Sequence, residues 1–227
     1  VTVYYKHLHE WNLPLKSAAD IQRILRERLK FIPITCARFV SGVDLSFPKK
    51  HLGIAVIVTL DITKFEVVET VVEVTEIRFP YIPGFLTFRE GPAFLKAWEK
   101  VSIKPDVVMF DGHGTAHPRG LGIACHLGLF IDLPTVGVAK SHLYGKYEKP
   151  SLKKGSFSYV TDSRGNILGA AVVTRDGVSP VFVSPGHLSD LDSSLDLTFR
   201  CTTKYRIPEP LRIAHNLTQK HKGEIIL

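Results

Sequence analysis

The segment Val107-Val108-Met109-Phe110 sets four apolar residues in succession between Asp106 and Asp111, with no polar position left to face water. A strand without polar alternation is buried on both faces, an arrangement that belongs to parallel strands covered by helices on either side. Its flanks supply those helices. Periodicity predicts a helix over about residues 87–101 before the strand, a second over about 121–130 after it, and a further strand over 135–139. Upstream, residues 37–46, 53–61 and 65–74 are rich in Val, Ile or Phe and joined by short loops, which predicts an antiparallel meander.

Downstream, strands are expected around 157–161, 167–174 and 181–183, with a hairpin-type turn at Asp162-Ser163-Arg164-Gly165-Asn166, and helices near 189–199 and 208–220. The first helix is expected over 17–29, where Ser17 and Asp20 form a capping-box pattern and Ala18, Ile21, Ile24, Leu25 and Leu29 share one face. Arg23, Arg26, Arg28 and Lys30 take the other face, so this helix reads as scaffold. The sum is an α/β chain with a mixed central sheet flanked by helices, the element order of the ribonuclease H-like fold. No internal repeat interrupts it, and 227 residues suit one globular domain over 1–227.

No apolar run reaches about 18 residues, and Val1–His7 lacks the basic-then-apolar order of a secretory leader, so a soluble, cytoplasmic chain without membrane partners is expected. Cys36, Cys125 and Cys201 are odd in number and far apart, which suits reduced core residues. A net charge of +7 fits a polyanionic partner or an ordinary basic enzyme. Basic residues concentrate in Lys140, Lys146, Lys149, Lys153 and Lys154, and again in Arg200, Lys204, Arg206, Arg212, Lys220 and Lys222. Such runs are solvated faces unless they approach the groups that carry chemistry.

Three acids are candidates for that chemistry. Asp44 lies among apolar residues within the first strand, where a buried carboxylate needs a donor or a metal. Asp111 ends the apolar strand and precedes Gly112-His113-Gly114, at the strand end where open α/β sheets bind ligands. Glu90 falls in the first turn of the expected helix, behind the rigid stretch Phe79-Pro80-Tyr81-Ile82-Pro83-Gly84-Phe85. Brought together, the three form an oxygen site for Mg2+, with Mn2+ as a substitute. Taken singly, they read as an exposed strand acid, a helix cap and a helix-surface acid. His113 and His117 have the i, i+4 spacing of a zinc pair, but Gly112, Gly114 and Pro118 predict a turn, which disfavours zinc and leaves proton handling or support of a second ion.

Ser41-Gly42-Val43-Asp44, Pro80 through Glu90, Asp111 through Arg119, Gly137 through Ser141 and Tyr205 through Pro210 together resemble the endonuclease V family, in the same order and over nearly the whole chain. The resemblance implies a DNA-repair nuclease for deoxyinosine that hydrolyses the second phosphodiester bond 3′ to the lesion, leaving 3′-hydroxyl and 5′-phosphate ends. It further implies that Asp44, Glu90 and Asp111 bind Mg2+, that His117 and His215 lie at the active site and that Lys140 meets the phosphate. Tyr81, between Pro80 and Pro83, would be a wedge that fills the gap left by an extruded base. Ile82, Gly84, Leu86, Gly112, Gly122 and Leu143 would line the pocket for that base. Four alternatives stay open: a proline loop with Tyr81 packed inward, the same scaffold acting on inosine in RNA, a binder of deaminated nucleic acid without catalysis and, more distant, a sugar or amide hydrolase, since paired carboxylates fit several chemistries. A monomer is expected.

Overall fold

The structure is a computed structural model that describes residues 3–226; Val1 and Thr2, the start of the segment read for a leader, lie outside the described residues, as does Leu227. In chain order the elements are helix α1 (Leu15–Arg26), strands β1 (Phe39–Lys49), β2 (Leu52–Asp61) and β3 (Glu66–Glu76), helix α2 (Leu86–Trp98), strand β4 (Val107–Phe110), helix α3 (Ile123–Ile131), strands β5 (Thr135–Ala139), β6 (Phe157–Thr161), β7 (Ile167–Val172) and β8 (Val181–Pro185), and helices α4 (Leu191–Arg200) and α5 (Glu209–Ile226). The eight strands make one mixed sheet in the order β3-β2-β1-β4-β5-β8-β7-β6. β1, β2 and β3 form the expected antiparallel meander, and β4 and β5 run parallel to β1. β8 enters antiparallel beside β5 and carries β7 and β6 with it, so the far half of the sheet is an antiparallel ribbon.

The apolar run that opened the sequence reading divides between two cores. Val108 and Phe110 pack with Phe94 and Trp98 of α2 and Leu127 and Phe130 of α3, whereas Val107 and Met109 pack with Leu197 of α4 and Leu211 and Ala214 of α5. Both faces of β4 are therefore covered, as a strand lacking polar alternation requires. On the α5 side the backbone of Pro210 and Leu211 lies directly against Gly42 of β1, where any side chain would overlap it. Only glycine admits so close a helix-to-strand approach.

Helix α1 departs from its expectation. It begins at Leu15, with Pro14 as the cap residue and no side-chain cap, and Asp20 instead bonds Arg23 at 2.7 Å, so Ser17 and Asp20 form no capping box. Proline supplies the starting geometry because its fixed φ suits entry to a helix and it has no N–H to satisfy. The buried stripe is Ala18, Gln22 and Leu25, while Ile24 is exposed. Cys125 and Cys201 are buried free thiols as expected; Cys36 is exposed, in the irregular segment before β1. No helix among the described residues is long and apolar enough to cross a membrane.

Candidate functional site

Ligand atoms of Asp44, Asp111 and His215 lie within 4.8 Å of one another. Asp44 projects from β1 and is 5% exposed. The Thr218 hydroxyl of α5 donates to its Oδ2, and His215 Nδ1, one helical turn earlier, lies 3.4 Å from the same oxygen. Asp111 directly follows β4, and its N–H continues the ladder to the Val43 carbonyl at 3.3 Å, which sets it beside Asp44. Lys140, just beyond β5, donates to Asp111 Oδ2, and its Nζ is 3.4 Å from His215 Nδ1. Arg206 fixes this lysine's backbone by donating to the carbonyls of Lys140 (2.8 Å), Pro180 (2.7 Å) and Ser179 (2.8 Å).

Glu90 comes from the helix on the other face. Because α2 starts at Leu86, Glu90 is its fifth residue and lies just past the first turn rather than within it. It is buried and lines the same cavity as Asp44 and Asp111, outside the 4.8 Å group. Burial, then repulsion from Asp44 and Asp111, pushes its carboxyl well above the usual carboxylate range, against the pull of Arg89. Burial raises the Asp44 carboxyl too, although the Thr218 hydrogen bond works the other way. Both groups therefore resist ionisation unless positive charge enters among them. A divalent cation is such a charge, and two clustered carboxylates with an imidazole, backed by a third acid, fit a hard cation that accepts oxygen ligands.

The acids form one wall of a cavity of about 370 Å³, which Lys140 also lines; Tyr81, Ile82, Pro83, Gly84, Leu86, Gly112, His117, Gly122 and Leu143 are among the residues that line the rest. Pro80 and His215 are not among the lining residues. Tyr81 is 69% exposed, which removes the alternative of a ring packed inward. Behind it Ile82-Pro83-Gly84-Phe85 closes a turn through Phe85 N–H to the Ile82 carbonyl at 3.0 Å, with Gly84 at φ +79°. Proline followed by a glycine of positive φ is the type II pattern, and it gives the tyrosine a stiff base.

His117 has both ring nitrogens engaged. Nε2 lies 3.0 Å from the Gly84 carbonyl, which can only accept, so Nε2 carries the proton and Nδ1 accepts from Arg119 N–H at 3.2 Å. Burial, and then the Arg119 charge, push this imidazole down to about 4, so it is neutral near pH 7. His113 faces the Ser141 carbonyl at 3.1 Å and is pushed down to about 4 by burial. Neither histidine belongs to the cluster around Asp44.

The endonuclease V family model matches residues 21–216. The chain belongs to the endonuclease V family. It is 51% identical over 221 residues to endonuclease V of Kosmotoga olearia, with 97% of each chain covered. Among solved structures, endonuclease V of Bacillus subtilis matches with a TM-score of 0.92 at 30% identity, covering 98% of each chain. Endonuclease V of Ciona intestinalis, in complex with a 24-mer DNA containing an inosine followed by a ribo-adenosine, matches with a TM-score of 0.83 at 26% identity, covering 93% of this chain and 98% of that one. Membership makes the chain a nuclease with the ribonuclease H-like fold, and the family implies a divalent metal.

Sequence reasoning missed Thr218 and Gln22. Thr218 holds Asp44 from 174 residues away, and no local pattern announces such a partner. Gln22 is 1% exposed and bonds the Gly84 carbonyl. Its signal was present: Ala18, Gln22 and Leu25 lie on one helical stripe, and an amide on an apolar stripe must find partners inside.

Proposed function

We propose that this chain cuts DNA at deoxyinosine, hydrolysing the second phosphodiester bond 3′ to the lesion with Mg2+ and leaving 3′-hydroxyl and 5′-phosphate ends. One observation carries the reading: the exposed Tyr81 and the buried acids border the same cavity, so a base-sized space and a metal-binding wall are continuous. Its volume of about 370 Å³ is within the range of pockets that bury small ligands.

In this reading Asp44 and Asp111, supported by Glu90, hold the cation, which when bound supplies Lewis acidity and a more acidic water. Thr218 and His215 orient the Asp44 carboxylate. Lys140, paired with Asp111, gives a positive charge to the phosphate beside the cut. His117 serves the active site by keeping the Gly84 turn in place, since its nitrogens are already engaged. Tyr81 occupies the gap in the stack while Ile82, Gly84, Leu86, Gly112, Gly122 and Leu143 enclose the extruded base. The proposal treats 1–227 as one nuclease domain, acting as a cytoplasmic monomer.

Matched duplexes with and without a single deoxyinosine, and a single inosine placed in RNA, test it. Mg2+-dependent incision confined to the inosine DNA is expected, one bond beyond the 3′ neighbour. Negligible DNA cleavage with efficient RNA cleavage would transfer the activity to RNA, and binding without cleavage of either would leave a non-catalytic binder. Tyr81→Ala should lower preference for inosine by about tenfold or more, the scale of one lost base–aromatic stack, with Mn2+ binding retained; undiminished preference would remove the wedge.

A further inference from the structure

The Gly84 carbonyl, at the base of the exposed tyrosine turn, receives three donors. Gln22 Nε2 lies at 3.1 Å, His117 Nε2 at 3.0 Å, and Arg119 Nη2 makes a short third bond. A carbonyl has two lone pairs, so three donors oversubscribe it and restrict its direction strongly. Two of them come from the Asp111–Arg119 segment. The third comes from α1, a helix that contributes nothing to the acid cluster.

Gln22 does more than bond one carbonyl. Its Nε2 also lies 3.5 Å from the Leu121 carbonyl, next to Gly122 on the cavity wall, and its Oε1 accepts from Arg119 Nε. Arg119 in turn stacks its guanidinium 4.2 Å from the centre of the Phe85 ring. One buried amide thus ties the turn behind Tyr81, the loop carrying Gly122 and the arginine between them. Ala18 and Ile21 of the same helix pack in the cluster that holds Ile82 and Phe85, so the helix supports the turn by contact as well as by hydrogen bond.

We infer that Gln22 is a positioning residue for base selection: by holding the Gly84 and Leu121 carbonyls together, it fixes the spacing between the two walls that enclose the extruded base. The inference rests on the inosine reading above. A slot for a flat base discriminates only if its width is set before binding, so that ordering of the loops is not charged against affinity. Phosphate contacts give sequence-independent affinity, so a change in this spacing should leave binding of DNA without inosine largely intact.

Gln22→Met keeps the length of the side chain and removes its hydrogen bonds; Gln22→Glu keeps an acceptor for Arg119 and removes both amide donors. For each, KM for an inosine duplex should rise about tenfold, the scale of one to two lost buried hydrogen bonds. The same duplex without inosine should bind within about twofold of wild type, kcat at saturation should change less than about threefold, and Mn2+ affinity measured by calorimetry should hold. In a Tyr81→Ala background the Gln22→Met effect should shrink below about threefold, because the amide acts through the turn that presents the ring. Wild-type discrimination retained in Gln22→Met, or a parallel loss of kcat and Mn2+ affinity in both variants, would overturn the clamp while leaving the inosine reading intact. A wild-type enzyme that treats the two duplexes alike would overturn that reading and the clamp with it.

Discussion

Two buried acids on the β1–β2 ladder are treated in opposite ways. Asp61 lies across from Phe39 at one end of the β1–β2 ladder, and Asp44 lies five residues further along β1. Asp61 is met by Arg38 through Nε at 2.9 Å and Nη2 at 2.7 Å, and by Thr63 through its N–H at 3.0 Å and hydroxyl at 2.6 Å. Hydrogen bonds from Arg38, then from Thr63, hold that carboxyl well below its usual range. Asp44 has the Thr218 hydroxyl and a histidine near one oxygen, stands beside Asp111 and Glu90, and is pushed upward. A structural acid brings its counter-charge in the sequence. The acids of the cut site leave part of theirs to be supplied from outside, and the folded chain carries the repulsion until it arrives.

The largest effects should separate the two ends. Asp44→Asn and Asp111→Asn are expected to lower inosine-DNA cleavage by on the order of a thousandfold or more, with weakened Mn2+ binding in calorimetry and circular dichroism unchanged. Asp61→Ala should reverse the pattern: melting several degrees lower, with cleavage at a permissive temperature close to wild type. A large catalytic loss in a folded Asp61→Ala protein would break the contrast.

A smaller effect sharpens it. Glu90→Gln removes a carboxylate that burial and two like charges oppose, so in chelator the variant should melt about 2–4 °C higher per kcal/mol relieved, while its cleavage falls. The pH dependence has a fixed sign. Because the folded pKa of Glu90 is raised, the folded state binds more protons than the unfolded state above the ordinary value of 4.5, and metal-free wild type should gain stability as pH falls toward that value. Glu90→Gln should show less of this gain, and added Mn2+ should suppress it in wild type.

The smallest expected effect concerns the buried pair His9 and His126, whose Nε2 atoms are 2.6 Å apart among Trp11, Phe88 and Phe130. Burial pushes both imidazoles down. With folded values below 6.5, the unfolded state binds more protons as pH falls under that value, so these groups cost stability on acidification. Replacing both (His9→Phe, His126→Leu) should flatten the acid side of a melting-temperature profile recorded with Mn2+ present, by a few degrees at pH 5.

Much of the fold was legible because it rests on local patterns. The unbroken apolar run at 107–110 required cover on both faces, and the Val-, Ile- and Phe-rich runs joined by short loops over 37–74 predicted a meander. Of the three acids, Asp44 stands out among apolar neighbours, whereas Asp111 and Glu90 taken singly read as a helix cap and a helix-surface acid, and only the motifs around them group them with Asp44. What escaped depends on distant parts of the chain. The antiparallel entry of β8 beside β5 is a matter of sheet order, which periodicity does not encode. Thr218 reaches Asp44 across 174 residues and Gln22 reaches Gly84 across 62. The start of α1 at Leu15 escaped because proline geometry prevailed over a side-chain cap.

The close approach at Gly42 governs how the cut site tolerates change. Strand and helix act there as two rulers of different graduation pinned at a common zero. Two residues along β1 advance about 6.6 Å to Asp44, and five along α5 advance about 7.5 Å from Pro210 to His215, so the imidazole and the carboxylate come level. One residue inserted between Leu211 and His215 would leave the pin in place yet swing everything beyond it by about 100°. His215 and Thr218 would turn away from Asp44, and the same swing would turn Leu217 off the core it packs against, so a length change in this turn costs cutting and folding together.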